Sequence, residues 1–580
     1  MSAVSQPEFE TIFAKDVDVP MRDGTILRAD VTRPDASGSF PVIIERTPYS
    51  KTGGENAVKA PDFFARRGYI VIIQDVRGRF ASEGDFYPFR DDGAGPLQDG
   101  YDTIEWAAAQ SWCNGKVGMI GGSYSGATQY QAARSRPPHL VAQFVRESSA
   151  DYYHEWVHRG GAHEHGFSLY WVRTVTHQNL AHLVPPEELE EQKARFEKIL
   201  AEIDDWYLRL PVYPCEFVVG LSEWHNDFLA HTEHDAYWTD LAVAPDHDQI
   251  QTPIYHLGGW YDIFLAGTLK NYTGLRRQAR TEAAREAQKL IIGPWIHGPT
   301  NTDKSIAGEI DFGPEGARNI NELRLPWFDH WLKGRPTGIL EEPPVTLFVM
   351  GRNQWRAESE WPLPDTRYAN YYLRAGASGS VESLNDGSLS ADAPSGDEPP
   401  DSYNYDPENP VPSIGGNTLG IPAGPVDHRS VDARCLTYTS PPLEAELEVT
   451  GPVTAVLHAS SSALDTDWIV RLEDVFPDGR SINVCDGILR ARFRDSFEKP
   501  ELLEPDKVYR FEIDLWATSN AFMPGHRLRV AVTSSCFPRF DRNLNTGGPI
   551  HREAAGQIAT NTVLHDEVHA SHIVLPLIER

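Results

Sequence analysis

Residues 117–134 read VGMIGGSYSGATQYQAAR, and this stretch decides the predicted fold. Its apolar run at 117–120 is typical of a buried parallel strand, and the small residues after position 125 favour a helix. Ser123 lies at the apex of the glycine-rich turn between them, where a serine hydroxyl is lifted above the carboxyl end of a sheet. Ser125 stands where the strict G-x-S-x-G motif has its second glycine, and similar turns occur in proteins without a catalytic serine. The stretch therefore indicates a nucleophile but does not establish one.

Apolar strands alternate with helical segments on both sides of this turn. The predicted strands and helices lie at 42–44, 59–68, 69–73, 99–110, 139–147, 252–258, 289–293 and 319–333. This alternation is typical of a doubly wound parallel sheet that is covered by helices on both faces. We therefore expect one α/β core, built from residues 1–150 and 246–345.

Two stretches break the alternation. Between residues 151 and 245 the strand-length apolar runs disappear, and helical segments rich in Glu, Ala, Leu and aromatic residues predict a cap over the active edge of the sheet. Residues 374–430 are rich in Gly, Ser, Pro and Asp and are expected to form long surface loops. Short strands with turn residues between them predict an all-β sandwich of jelly-roll type over 346–580.

Composition excludes several classes of function. The chain has 580 residues, and its net charge of −30 argues against nucleic acid or an anionic membrane as a partner. Its five cysteines are scattered without a C-x-x-C pattern, so neither a disulfide framework nor a zinc site is indicated. No signal-peptide pattern and no apolar run of membrane-spanning length are visible, and we expect a cytoplasmic protein.

A serine hydroxyl needs a histidine to accept its proton and a carboxylate to orient that histidine. In this topology both partners follow the serine in the order acid, then histidine, and each lies just past a strand. Asp262 and His297 meet both conditions. Each alone is better explained as an ordinary loop or core residue, but their order and placement together with the serine turn predict a triad of Ser123, Asp262 and His297.

The tetrahedral intermediate of acyl transfer needs hydrogen-bond donors for its oxyanion. The backbone N–H of Tyr124, directly after the nucleophile, is one predicted donor. The phenol of Tyr49, in the loop after the strand at 42–44, is a candidate for the second. The residues alone do not decide the role of Tyr49, because packing of its ring in the loop explains it equally well.

Aromatic residues are dense in the first segment of the predicted cap. Trp156, Phe167 and Trp171, together with Phe264, are candidates for the wall of an apolar acyl pocket. Packing of the cap on the core explains any one of them as well. The segment 163–165 reads His-Glu-His, which is a weak metal pattern without a third ligand in view. The triad needs no metal, and we expect neither a metal nor a cofactor.

The sequence resembles the CocE/NonD family of serine α/β-hydrolases, which is related to X-Pro dipeptidyl peptidases and α-amino acid ester hydrolases. The resemblance is carried nearly end to end by MRDG (21–24), ADV (29–31), RTPY (46–49), DVRGR (75–79), SEG (82–84), GGSYSG (121–126), GWYD (259–262), GPWIHG (293–298) and WFDHWLKG (327–334).

This resemblance implies an α/β-hydrolase core with an inserted helical cap and a C-terminal jelly-roll domain. It implies Ser123, Asp262 and His297 as the catalytic triad. It also implies that Tyr49 donates to the oxyanion from its side chain, beside the N–H of Tyr124.

The residues directly after Asp262 indicate which branch of the family the sequence resembles. Esterases selective for α-amino acids are expected to hold the substrate ammonium with carboxylates close to this aspartate. Residues 263–265 are Ile, Phe and Leu, so an ammonium there would lack a counter-charge. Asp151, Glu155 and Glu164 are candidates for the amine site of an X-Pro peptidase, although solvated helix carboxylates explain them better.

The predicted function is hydrolysis of carboxylic esters through an acyl-enzyme on Ser123. An amide-cleaving acylase, an X-Pro dipeptidyl peptidase or an acyltransferase with the same triad remains open, as does a glycan-binding protein with a silent core. The expected partners are a small-molecule ester or amide and, in a homodimer, a second copy of the chain. Neither nucleic acid nor a membrane is expected as a partner.

Overall fold

The computed structural model describes residues 4–93, 95–298 and 301–579 of the chain. The first part of the core alternates strands and helices as the sequence predicts. Its elements are β1 (Thr11–Pro20), β2 (Ile26–Pro34), β3 (Phe40–Thr47), α1 (Gly54–Ala65), β4 (Ile70–Asp75), α2 (Asp99–Ala108), β5 (Cys113–Gly122), α3 (Tyr124–Arg134) and β6 (Leu140–Arg146).

The cap follows β6 and is mostly helical. It begins with a π-helical turn at Tyr153–Val157 and a short hairpin. Its elements are β7 (His158–Arg159), β8 (Ala162–His163), α4 (His165–Leu183), α5 (Leu189–Ala201), α6 (Ile203–Tyr207), α7 (Glu223–Ala230) and α8 (Ala236–Leu241). Helix α4 has buried residues around most of its circumference, as expected for a helix enclosed between other layers.

The second part of the core completes a ten-stranded sheet. Its elements are β9 (Ile254–Tyr261), α9 (Leu265–Gln278), α10 (Glu282–Glu286), β10 (Lys289–Ile296), β11 (Ile306–Ala307), β12 (Ile310–Asp311), α11 (Ile320–Lys333), β13 (Val345–Val349) and β14 (Gln354–Glu358). The strand order is β1-β2-β4-β3-β5-β6-β9-β10-β13-β14. Neighbours from β4 to β13 pair parallel, whereas the pairs β1–β2, β2–β4 and β13–β14 are antiparallel.

Helices cover both faces of this sheet. Apolar residues of α2, α3, α9 and α10 form one core with one face of the strands, and α1 and α11 form another with the opposite face. Every residue of β4 is buried, which is why its first four residues (70–73) form a continuous apolar run rather than an alternating one. The predicted two-sided α/β core is confirmed, and its parallel centre has antiparallel edges.

The predicted boundary at residue 346 is wrong, because it falls inside β13. Strand β13 pairs parallel with β10, with Leu290 opposite Val345, and β14 continues the same sheet to Glu358. A hairpin rather than a helix joins β13 to β14. The alternation of strands and helices therefore ends in the sequence before the sheet ends in space.

The rest of the chain is an all-β domain. Its elements are β15 (Arg367–Arg374), β16 (Gly387–Ser390), β17 (Asp401–Tyr405), α12 (Arg429–Asp432), β18 (Leu436–Thr439), β19 (Leu447–Ser461), β20 (Asp467–Val475), β21 (Ser481–Arg490), β22 (Tyr509–Phe522), β23 (Arg527–Thr533), β24 (Ala559–Leu564) and β25 (His572–Ile578). The pairing is antiparallel except between β16 and β18. Trp468, Phe511 and other apolar residues of these strands form one core.

Hydrogen bonds join the all-β domain to the α/β core. The Met350 N–H donates to the Ser519 carbonyl at 2.9 Å, and the Ala521 N–H donates back to Met350 at 2.8 Å. The Tyr261 hydroxyl donates to the carbonyl of Asn483 at 3.0 Å. No helix among the described residues combines the length and the apolar character needed to cross a membrane.

Candidate active site

Ser123 is the single residue between the end of β5 and the start of α3. Its φ of 57° and ψ of −127° are strained for a residue with a Cβ, at a cost of about 1–3 kcal/mol. Its N–H donates to the carbonyls of Arg146 and Glu147, both at 3.0 Å, which holds the turn against the end of β6. A Cβ at Gly126 would lie 2.6 Å from the Cβ of Ser148, so the close approach of α3 to this loop requires glycine there.

Asp262 and His297 are brought together at the ends of neighbouring strands. Asp262 follows β9, His297 follows β10, and Oδ2 of the aspartate lies 2.5 Å from Nδ1 of the histidine. Both residues are buried. The N–H of Phe264 donates to the other oxygen, Oδ1 of Asp262, at 2.7 Å. The carboxylate is therefore fixed from two sides, which leaves Nε2 of the histidine for chemistry.

The electrostatic surroundings favour a basic histidine. Burial lowers the pKa of His297, but the charge and hydrogen bond of Asp262 and the charge of Glu147 outweigh it. The net effect raises the pKa of His297 above its usual value of 6.5. A raised pKa is what a proton acceptor for a serine hydroxyl needs.

The phenol of Tyr49, the predicted oxyanion donor, lies within hydrogen-bonding reach of the Ser123 side chain. Burial raises the pKa of its phenol, so the hydroxyl is neutral and keeps its proton at physiological pH; hydrogen bonds from Trp171 and Ser123 oppose this shift. The indole N–H of Trp171 donates to the phenol oxygen at 3.0 Å. Because that oxygen already accepts a hydrogen bond, the phenol proton is directed elsewhere. The Tyr124 N–H is the first of α3, so it has no acceptor within the helix.

The four predicted pocket residues lie together in one cluster beside His297. The rings of Trp156 and Phe264 stack with centroids 4.2 Å apart, and Phe264 presents its edge to His297 at 5.1 Å. The ring centroid of Phe167 lies 5.8 Å from that of Phe264, and the centroid of Trp171 lies 5.6 Å from that of Trp156. All four rings are buried in one aromatic cluster with Tyr124, and burial of each stabilises the fold by roughly 1.5–3 kcal/mol. Their role in binding an acyl group stays a prediction.

The carboxylates proposed for an amine site already have partners. Asp151 and Glu155 both pair with the ammonium of Lys270, at 3.3 Å and 3.0 Å. Glu164 is fully buried, with its Oε2 3.9 Å from Nε of Arg539. Their interpretation as solvated helix carboxylates is therefore wrong, and none of the three is an unpaired counter-charge for a substrate amine.

Two groups of three side chains among the described residues have the spacing of metal ligands. They are Asp151 with His154 and His234, and Glu147 with Asp262 and His297. The first group already contains the Lys270 ammonium against Asp151, and the second contains two residues of the predicted triad. His163 and His165 are buried and belong to neither group.

Sequence reasoning missed Asn417, a buried residue from the all-β domain. Its side-chain N–H groups donate to the backbone carbonyls of Trp260 at 2.8 Å and of Asp262 at 3.0 Å. The expectation of surface loops over 374–430 is therefore wrong at this segment. Its neighbours Leu419 and Ile421 pack against the aromatic cluster. A lone asparagine in a Gly- and Pro-rich stretch gives no signal of this contact.

Glu147 was also missed, although it carries the same signal as Asp262, a polar residue directly after a buried strand. It follows β6 and is fully buried. Its Oε2 lies 3.7 Å from Nδ1 of His297 and accepts the N–H of Gly298 at 3.0 Å. The guanidinium of Arg146 donates to the same oxygen at 2.5 Å.

Comparisons with known proteins agree with this geometry. The family profile described as X-Pro dipeptidyl-peptidase (S15 family) matches residues 23–299, and that of the X-Pro dipeptidyl-peptidase C-terminal non-catalytic domain matches 337–574. The chain is 39% identical to cocaine esterase of Rhodococcus sp. (strain MB1 Bresler), over 98% of this chain and 99% of the relative. The chain belongs to the CocE/NonD family of serine hydrolases.

Two solved structures are similar to this chain over almost its whole length. An aminopeptidase from the marine sediment archaeon Thaumarchaeota archaeon is 27% identical, with a TM-score of 0.84 over 98% of this chain and 97% of its own. An α-amino acid ester hydrolase is also 27% identical, with a TM-score of 0.79 over the same shares of the two chains. The CocE/NonD family architecture, an α/β-hydrolase core followed by an all-β domain, is therefore that of this chain.

Asn417→Ala tests whether the all-β domain supports the predicted acid. The change removes both hydrogen bonds to the backbone around Asp262, so we expect kcat for p-nitrophenyl acetate to fall about 10- to 100-fold with little change in KM. Asn370→Ala, an exposed asparagine of the same domain, serves as the control. An unchanged kcat in a folded Asn417→Ala variant would contradict the assignment.

Tyr49→Phe removes the predicted oxyanion donor and keeps the ring. We expect kcat/KM for the same ester to fall about 10²- to 10³-fold, as for other single oxyanion donors. Tyr372→Phe is the control, since its hydroxyl also accepts one side-chain hydrogen bond but lies in the all-β domain. A loss no larger than that of the control would show that Tyr49 only packs the loop.

Proposed function

We propose that this chain is a serine carboxylesterase. His297 accepts the proton of Ser123 at Nε2 as the serine Oγ attacks the ester carbonyl. Asp262 holds Nδ1 of the histidine, fixes its tautomer and stabilises the imidazolium that forms. The 2.5 Å bond between Asp262 and His297 provides this orientation.

The phenol of Tyr49 and the N–H of Tyr124 then donate to the tetrahedral oxyanion. Such donors stabilise the transition state more than the ground state, by about 2.7–4 kcal/mol for one donor. The imidazolium returns its proton to the departing alcohol, which leaves an acyl group on Ser123. A water molecule, deprotonated by the same histidine, attacks the acyl-enzyme and releases the acid.

One observation carries this proposal. A strained serine at a strand–helix turn lies beside a phenol whose oxygen already accepts a hydrogen bond from Trp171, and it shares the sheet edge with a buried Asp262–His297 pair. The arrangement is suited to acyl transfer through a covalent intermediate.

The proposed substrate is an ester with an apolar or aromatic acyl group. Phe264 packs against His297 and Trp156 stacks on Phe264, so an uncharged aromatic pair adjoins the histidine. Similarity to cocaine esterase over nearly the full length supports ester cleavage. The pairing of Asp151 and Glu155 with Lys270 argues against selection for a substrate with a free amine.

Amide cleavage by the same residues is the second candidate. It is favoured by the match to the X-Pro dipeptidyl-peptidase profile and by the similarity to a solved aminopeptidase. An acyltransferase would use the same acyl-enzyme with a different acceptor.

We further propose that the all-β domain is a jelly roll, supported by its antiparallel strands.

A cytoplasmic location is part of the proposal. It is supported by the five cysteines, all of which are free thiols in the described structure. The acidic net charge supports a small-molecule substrate rather than nucleic acid or an anionic membrane. A homodimer stays a prediction.

Stopped-flow release of p-nitrophenol from the acetate and the butyrate tests the proposed function. Matching p-nitroanilides and an X-Pro p-nitroanilide are assayed in parallel, with Ser123→Ala as the control. We expect rapid ester turnover that is abolished in Ser123→Ala, and no measurable cleavage of the X-Pro anilide. Cleavage of the X-Pro anilide as fast as the ester would favour the peptidase instead, and an active Ser123→Ala variant would contradict both.

A further inference from the structure

Three successive strands of the sheet end in residues that meet around one imidazole ring. Glu147 follows β6, Asp262 follows β9 and His297 follows β10, and these strands are parallel neighbours. Nδ1 of the histidine is 2.5 Å from the Asp262 carboxylate and 3.7 Å from Oε2 of Glu147. The predicted triad uses only one of these two carboxylates.

The second carboxylate is enclosed by a defined set of groups. Arg146 and the N–H of Gly298 donate to its Oε2, and the charges of Asp262 and His297 also act on it. Its Oε1 is buried without a hydrogen-bond partner among the described residues. Glu147 also has a φ of 48°, and its N–H donates to the Leu257 carbonyl of β9 at 2.7 Å. The backbone is thus held so that the side chain stays at the site.

Burial of the Glu147 carboxylate costs desolvation free energy, which favourable interactions of its charge must offset. Burial raises the pKa of Glu147 to about 7, with the charge of Asp262 adding to the effect, while Arg146, His297 and the Gly298 N–H oppose it. The ion pair with the buried Arg146 accounts for the charge of Glu147, but it does not account for the position of that charge 3.7 Å from Nδ1 of His297. The position against Nδ1 is what distinguishes the glutamate.

We propose that Glu147 is a second positioning carboxylate for His297, which stabilises the imidazolium during catalysis and can replace Asp262 as the partner of Nδ1. This inference rests on the proposed function of the triad. A rotation of the Glu147 side chain that shortens the 3.7 Å separation would make the hydrogen bond when the Asp262 carboxylate is absent. Glu147 acts through the histidine and does not touch the substrate.

The sign of the pH effect follows from the charges. With its pKa raised to about 7, Glu147 is ionised from neutral pH upward, and once ionised it favours protonated His297 and so raises the pKa of the histidine. Removal of the negative charge lowers that pKa, so the histidine stays a free base at lower pH. The acidic limb of kcat/KM, which reports the free enzyme, must then move to lower pH, while the plateau falls because the imidazolium in the transition state has lost a neighbouring charge.

The experiment compares the pH dependence of kcat/KM for p-nitrophenyl acetate in wild type, Glu147→Gln, Glu147→Asp, Asp262→Ala and the double variant Asp262→Ala/Glu147→Gln. Glu164→Gln is the matched control, because Glu164 is also fully buried with a pKa raised to about 7 by burial, but it faces Arg539 and Arg159. For Glu147→Gln we expect an acidic limb about one pH unit lower and a plateau about tenfold lower. Glu147→Asp, which keeps the charge, is expected to restore much of the wild-type limb.

Measuring Glu147→Gln both in wild type and in Asp262→Ala distinguishes a positioning role of Glu147 from a packing role. We expect Glu147→Gln to cost about 100-fold or more in the Asp262→Ala background, against about tenfold in wild type, because Glu147 is then the remaining partner of Nδ1. Glu164→Gln is expected to leave the acidic limb in place. An unmoved limb in folded Glu147→Gln, or equal losses in the two backgrounds, would overturn the inference.

Failure of the proposed function gives a different result. In that case wild type shows no turnover of the ester that depends on Ser123. The pH dependence of fluorophosphonate labelling of Ser123 then provides an independent reading, since it also requires deprotonated His297. A lower midpoint of labelling in Glu147→Gln would still support the second carboxylate, and an identical midpoint would overturn it.

Discussion

The carboxyl ends of parallel strands all lie at one edge of a sheet, with neighbouring strands about 4.8 Å apart. Residues directly after such strands therefore meet, however far apart they are in the sequence. Ser123 follows β5, Glu147 follows β6, Asp262 follows β9 and His297 follows β10, and these strands stand side by side in that order. The order of the strands is therefore sufficient to bring these four polar side chains together, and the cap and the all-β domain pack around them.

Enclosure makes charge compensation the second requirement. A buried histidine would lose its basicity without carboxylates beside it, and the buried carboxylates in turn need partners. Asp262 is held by the Phe264 N–H and by His297, and Glu147 is held by Arg146 and the Gly298 N–H. The aromatic cluster around Trp156 excludes water, which strengthens each of these interactions. Asn417 links the arrangement to the all-β domain by fixing the backbone on both sides of Tyr261.

Local patterns predicted those parts that depend on local sequence. The apolar runs gave β4 and β5, the glycine-rich turn gave the position of Ser123, and the rule that partners follow strands gave Asp262 and His297. The same rule applies to Glu147, which was overlooked because a triad needs only one acid. Asn417 had no such signal, since its role depends on how a distant loop packs. The hairpin of β13 and β14 was assigned to the wrong domain, because strand pairing is decided by neighbours in space.

The central claim is that Ser123 forms a covalent intermediate at this sheet edge. Labelling with a fluorophosphonate, followed by intact-mass and peptide mass spectrometry, tests it most directly, because the probe reacts with a serine that a nearby base activates. The account predicts one adduct per chain, mapped to Ser123 and absent from Ser123→Ala. An adduct on another residue, or no adduct on an enzyme that still hydrolyses aryl esters, would contradict it.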